Sequence, residues 1–91
     1  MFKPAAKLTM DNASQTLEAG LQAIASGESD FDLSELLSVD SSAVAILLEW
    51  RRRAQQQGVS LNFGVLPADL QSLVNLYGVA ELLPAAADRH R

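Results

Sequence analysis

The chain has 91 residues, a length that predicts a single domain over residues 1–91. Seven lysines and arginines against eleven aspartates and glutamates give a formal net charge of −4, which argues against nucleic-acid binding and against direct binding to an anionic membrane surface. The chain has no cysteine and one histidine, His90, which excludes disulfides, thiolate metal sites and histidine-based triads. We therefore expect a binding or regulatory module and no enzyme.

Apolar periodicity in the first third of the chain predicts a strand, a helix and a second strand. Residues 7–10 alternate polar and apolar side chains, and residues 13–24 carry one apolar stripe at helical spacing. Asn12, with Gln15 three residues later, has the pattern of a capping box at the start of this helix. Residues 31–33 alternate again and predict the second strand.

The rest of the chain predicts two more helices and a third strand. Residues 34–40 are expected to be a connection, followed by a helix from Ser41 or Ser42 to about residue 57. Residues 59–63 alternate as a strand, and a third helix starts at Pro67, while residues 84–91 are expected to be a flexible tail. The order β-α-β-α-β-α predicts an α/β fold, with helices packed on a small mixed sheet.

Two hydroxyls and a carboxylate meet at the start of the predicted second helix, in Asp40, Ser41 and Ser42. The positive end of a helix favours anions, including a phosphate carried by a hydroxyl group. The simpler interpretation is that Asp40 or Ser41 caps the helix and the other residues are incidental.

The first two turns of that helix, residues 43–50, are apolar almost all round. A helix on a sheet needs only one apolar stripe, and a domain of this size has little material to cover a second one. This favours a partner surface that includes Val44. The only tryptophan, Trp50, is predicted to be its anchor, with a place in the core or at the helix edge as the alternative. Arg51–Arg53 either pair with acidic partner groups or form a solvated face.

The acidic residues Glu28, Asp30, Asp32 and Glu35 form a loose cluster. It is read as a solvated rim in preference to a metal site, since its spacing does not match a calcium loop. No glycine motif for phosphates is present, and no metal or cofactor is predicted. The longest apolar run, residues 43–48, is too short to cross a bilayer, and residues 1–4 lack the apolar region of a secretory signal. We expect a cytoplasmic protein.

The segment from residue 30 to residue 58 resembles the STAS domain family, whose members share a strand, an apolar loop and Asp-Ser at the start of a helix. Asp32-Leu33-Ser34 and Val39-Asp40-Ser41-Ser42 fit this pattern, and the resemblance extends over about residues 8–83. Ala43 stands where the family commonly has glycine. Only about ten residues precede the first helix, where STAS domains usually begin with a β-hairpin.

Within the family, residues 47–51, 76–79 and 82–84 are most similar to the small cytoplasmic STAS subunit of the Mla phospholipid-transport ABC complex of Gram-negative bacteria. This resemblance implies a non-catalytic subunit that binds the ATPase, and through it the permease, at the inner membrane. The process served would be lipid traffic that maintains outer-membrane asymmetry. The resemblance places Ser41 at the ATPase contact. The predicted partner-binding residues are Asp40, Ser41, Ser42, Val44 and Trp50, with Leu76 and Tyr77 as weaker additions.

The other branch that the chain resembles is the anti-sigma-factor antagonists. In that branch a partner kinase phosphorylates the serine directly after the motif aspartate, a position that Ser41 occupies here. A phosphate would add about −1.5 to −2 charge to the contact surface and would block docking by repulsion and desolvation. An anti-sigma-factor kinase is therefore the alternative partner.

Overall fold

The computed structural model describes residues 1–4, 6–79 and 82. In these residues the chain forms, in order, β1 (Lys7–Leu8), α1 (Ala13–Ala25), β2 (Ser38–Val39), α2 (Ser41–Gln56) and α3 (Ala68–Leu76). The predicted fold class, an α/β domain with helices packed on a small sheet, is confirmed. The predicted tail at 84–91 lies outside the described residues.

The sheet consists of interrupted parallel pairings. β1 pairs with β2, with Lys7 opposite Ser38 and Leu8 opposite Val39. Two isolated parallel bridges join Phe2 to Phe31 and Asp30 to Asn62. The N-terminal segment therefore runs beside the segment 30–39, whose start runs beside Asn62. The three segments follow the order of the predicted strands, but a turn at residues 34 and 35 separates the bridge at Phe31 from β2.

Three local predictions need correction. Residues 31–33 and 59–63 are not continuous strands in the described structure, and each takes part only through isolated bridges. Ser38–Val39 lies in the predicted connection and forms β2. Asn12 precedes α1 but makes no side-chain cap hydrogen bond. Its Oδ1 accepts from the N–H of Thr9 at 3.1 Å and its Nδ2 donates to the carbonyl of Lys7 at 2.8 Å. The side chain therefore closes the turn between β1 and α1 and is not available as half of a capping box.

An aromatic cluster holds α2 against α1 and the sheet. The ring centroid of Trp50 lies 5.1 Å from that of Phe31 and 5.7 Å from that of Phe2. The indole Nε1 of Trp50 donates to the carbonyl of Leu17 in α1 at 3.0 Å. Gly20 packs directly against the indole, and a Cβ atom at this position would overlap with the ring. These contacts bury one face of α2 and leave its opposite face turned outward.

None of the helices in the described part of the chain combines the length and the apolar character needed to cross a membrane.

Candidate docking surface

Asp40 caps α2 and also ties down a distant turn. The residue has extended backbone geometry, and its Oδ1 accepts from the N–H of Ser42 at 2.8 Å. Its Oδ2 accepts from the N–H of Met10 at 3.0 Å. The hydrogen bond from Met10 is the largest cause that lowers the pKa of Asp40 below its ordinary value. Asp40, and not Ser41, is therefore the N-cap of α2. Both oxygens of the Asp40 carboxylate are engaged by hydrogen bonds within the domain.

Ser41 is exposed in the first turn of α2 and opens onto a groove of about 340 Å³. We call this cavity the Ser41 groove. Apolar side chains dominate its walls, and the hydroxyl groups of Ser41 and Tyr77 are the polar side-chain groups among them. It lies between the N-terminal half of α2 and the residues that follow α3. The lining residues are Ser41, Val44, Ala45, Leu48, Tyr77 and Val79.

The structure brings three of the predicted site residues together in this groove. Ser41 is exposed, Tyr77 is 52% exposed, and Val44 forms a floor that is only 5% exposed. Ser42 and Leu76 do not line the groove. Ser42 is half-buried beside the Asp40 cap, and the side chain of Leu76 is largely exposed on α3.

Trp50 corrects the predicted surface. Its side chain is 0% exposed and lies in the aromatic cluster, so the prediction that it anchors a partner is wrong and the core alternative is the observed one. The reason is its position on the inner face of α2. Ala43, Leu47, Trp50 and Ala54 recur at spacings of four, three and four residues, and all are buried. This periodicity is the signal in the sequence that could have identified Trp50 as a core residue.

Three residues near Asp40 and Ser41 were not among the predicted site residues: Ala45 and Met10, which are exposed, and Leu48, which is half-buried. Ala45 and Leu48 follow Ser41 at spacings of four and three, so the outward stripe of α2 was readable from the sequence. Met10 is 77% exposed and its backbone lies against Asp40. No pattern in the sequence indicates that contact, because the two residues are 30 positions apart.

The three arginines of α2 have different surroundings. Glu49 forms ion pairs with Arg52 and Arg53, and the hydrogen bond from Arg52 is the largest cause that lowers the pKa of Glu49. Arg51 is half-buried, and its Nη1 donates to Oε1 of Gln55 at 3.4 Å. Arg51 stands three residues after Leu48, so it continues the helix face that carries the Ser41 groove.

Three of the four carboxylates in the acidic cluster are engaged separately. Glu28 pairs with the N-terminal amine at 2.8 Å, and Glu35 pairs with Lys3 at 3.3 Å. The Oδ1 of Asp32 accepts from the hydroxyl of Ser34 at 2.6 Å, which is the largest cause that lowers the pKa of Asp32. Within the part of the chain that the structure describes, no group of three or more His, Cys, Asp or Glu side chains is placed to hold a metal ion.

Comparison with models of known protein families gives a match. A family model described as Mlab, STAS domain, matches residues 5–84. The match includes β1, the three helices, Asp40, Ser41 and Tyr77. No curated protein matches the chain.

Proposed function

We propose, from the premise that this chain belongs to the STAS domain family, that it is a non-catalytic subunit of a phospholipid-transport ABC complex. It docks on the ATPase subunit and regulates or stabilises it. The Mlab description of the matching family model supports this branch. The observation that carries the docking role is the exposed Ser41 at the edge of an apolar groove on α2. The ATPase would hold the subunit at the inner membrane, beside the permease.

The Ser41 groove supplies two kinds of contact. A side chain of the ATPase that fills it would remove apolar surface from water, worth about 1.5–3 kcal/mol for one aliphatic or aromatic residue. The hydroxyl of Ser41 adds a directional hydrogen bond of about 1 kcal/mol. The groove is formed before binding because Asp40 caps α2 and Val44 is packed in the core. Little ordering free energy is therefore lost on docking.

Ser41→Glu is expected to weaken ATPase binding by about tenfold or more, because the new carboxylate loses its hydration at an apolar contact. The measurement is calorimetric titration with the ATPase subunit. Ser60→Glu is the matched control, since Ser60 is exposed beyond the opposite end of α2. The helix should tolerate glutamate in its first turn, so unfolding is not expected. Binding of the Ser41→Glu protein at wild-type affinity would contradict the proposed surface.

Arg51 indicates what the ATPase presents next to the groove. Because Glu49 is already paired with Arg52 and Arg53, a carboxylate on the ATPase would complement Arg51. Arg51→Glu is expected to weaken binding by about tenfold through charge reversal, and added salt should weaken wild-type binding more than Arg51→Gln binding. Arg53→Gln is the control, because Arg53 faces Glu49. Equal salt dependence of the wild type and Arg51→Gln would exclude the acidic contact.

The alternative partner is an anti-sigma-factor kinase, with Ser41 as the phosphate acceptor. The exposure of Ser41 at a helix N-terminus is compatible with this chemistry, while the Mlab-type match favours the transporter. A tagged pull-down from cytoplasm and membranes, followed by mass spectrometry, separates the two. An ABC ATPase together with its permease supports the transporter subunit. A kinase in the eluate, with phosphate on Ser41, supports the alternative.

A further inference from the structure

The turn between β1 and α1 is held firmly while its methionine is left in solvent. The N–H of Met10 donates to Oδ2 of Asp40 at 3.0 Å. Asn12 closes the turn from the other side, through Thr9 and the carbonyl of Lys7. The side chain of Met10 is nevertheless 77% exposed. Because the backbone of Met10 is already ordered, binding has to order only its side chain, which lowers the conformational cost of a contact at this position.

One carboxylate places this turn beside the Ser41 groove. The Oδ2 of Asp40 holds the N–H of Met10, and the Oδ1 of Asp40 holds the N–H of Ser42. Met10 and the first turn of α2 are therefore attached to the same side chain, and Ser41 directly follows it in the chain. The exposed Met10 adjoins the predicted docking surface and extends it.

We propose that Met10 is a second contact of the docking surface and that Asp40 is the residue that positions it. This inference rests on the proposed function: the occupant is the ATPase subunit. The ATPase subunit contacts Met10 through an uncharged apolar patch. This patch lies next to the ATPase side chain that fills the Ser41 groove. Two features favour this occupant. The carboxylate of Asp40 is already engaged, and the cationic Arg51 on the same helix face fits an acidic group farther along the partner.

Only aspartate at position 40 can accept from the N–H groups of both Met10 and Ser42 in this geometry. The helix cap by itself needs only the second of these hydrogen bonds. Asparagine is an equally good N-cap, since its carbonyl oxygen can accept from the N–H of Ser42. Its amide nitrogen is a donor, so it cannot accept from the N–H of Met10. Asp40→Asn therefore keeps the cap of α2 and releases the turn.

The test is a double-mutant cycle of ATPase binding with Met10→Ala, Asp40→Asn and the double variant. Each single variant is expected to weaken binding by about fivefold to tenfold, and the double variant should bind no more weakly than Asp40→Asn. Val65→Ala, which shortens an exposed side chain elsewhere, is the control and should bind as the wild type does. Unchanged binding of Met10→Ala, or additive losses in the double variant, would overturn the proposal.

A second readout needs no partner. The amide hydrogen of Met10 is expected to exchange about tenfold or more faster in Asp40→Asn than in the wild type, while amides in the middle of α2 keep their protection. Unchanged exchange at Met10 would show that Asp40 does not hold the turn. If wild-type protein does not bind the ATPase at all, the proposed function fails together with this inference. If the wild type binds and only the Met10 result is negative, the inference alone fails.

Discussion

Trp50→Ala is expected to remove a large share of the stability of this domain. Trp50 is fully buried and contacts Phe2, Phe31 and Phe63 through its ring. Truncation of a buried tryptophan costs about 3–5 kcal/mol, and the lost hydrogen bond to the carbonyl of Leu17 adds about 1 kcal/mol. A domain of this length has a total stability of about 5–14 kcal/mol at the usual value per residue. The loss is therefore a large share of the free energy of unfolding.

Urea denaturation followed by far-ultraviolet circular dichroism measures this loss. Tyr77→Ala is the matched control, because Tyr77 is also aromatic but half of its side chain is in solvent. That variant should change the free energy of unfolding by about 0.5 kcal/mol or less. A loss below about 1 kcal/mol for Trp50→Ala would mean that Trp50 is not the centre of the core.

Gly20→Ala is expected to destabilise the domain although alanine is the better helix former. A Cβ atom at Gly20 would lie 2.5 Å from Cζ2 of Trp50, with Cε2 and Nε1 nearer still. Overpacking of this kind costs about 1–3 kcal/mol, and displacement of the indole weakens its hydrogen bond to Leu17. The gain in helix propensity is about 1 kcal/mol. The net loss should be about 1–2 kcal/mol.

Repeating Gly20→Ala in a Trp50→Phe background tests whether the indole causes the loss of stability. A phenyl ring lacks the atoms that meet the new Cβ, so Gly20→Ala should cost less there, and the two substitutions should be coupled in a double-mutant cycle. The measurement is the same urea titration, applied to four proteins. A Gly20→Ala protein as stable as the wild type would show that α1 and α2 can separate without cost at this position.

Local patterns in the sequence predicted much of this molecule. The three helices lie where apolar stripes and stop signals placed them, because these signals act within a few residues of the chain. The same local chemistry gave Asp40 as one of two candidate caps of α2, with Ser41 as the other, and the structure has Asp40. The resemblance carried by Asp32-Leu33-Ser34 and Val39-Asp40-Ser41-Ser42 is confirmed by the family match over residues 5–84. That Ser41 contacts a partner stays a prediction.

The wrong strand bounds and the wrong capping role of Asn12 share a physical cause. The extent of each strand depends on which segment lies beside it, and residues 31–33 alternate correctly but pair only at one end. Asn12 has the residue type of a cap, but neighbouring backbone groups of Thr9 and Lys7 compete for its side chain. The capping propensity of asparagine does not determine whether its side chain bonds to the helix or to the preceding turn when both are within reach. The backbone geometry of the turn determines which hydrogen bonds Asn12 makes.

By itself, the sequence determined the three helices, the α/β class and the family, and it narrowed the cap of α2 to Asp40 or Ser41. The spacing of the buried residues of α2 already indicated its inner face, but only the tertiary structure showed the aromatic cluster that covers Trp50 and leaves Ala45 exposed. The tertiary structure also decided that Met10 lies against Asp40. These outcomes depend on contacts between residues 30 and 33 positions apart, Met10 with Asp40 and Leu17 with Trp50. Such contacts form only when the whole chain has closed around its core, and no short pattern of residues encodes them.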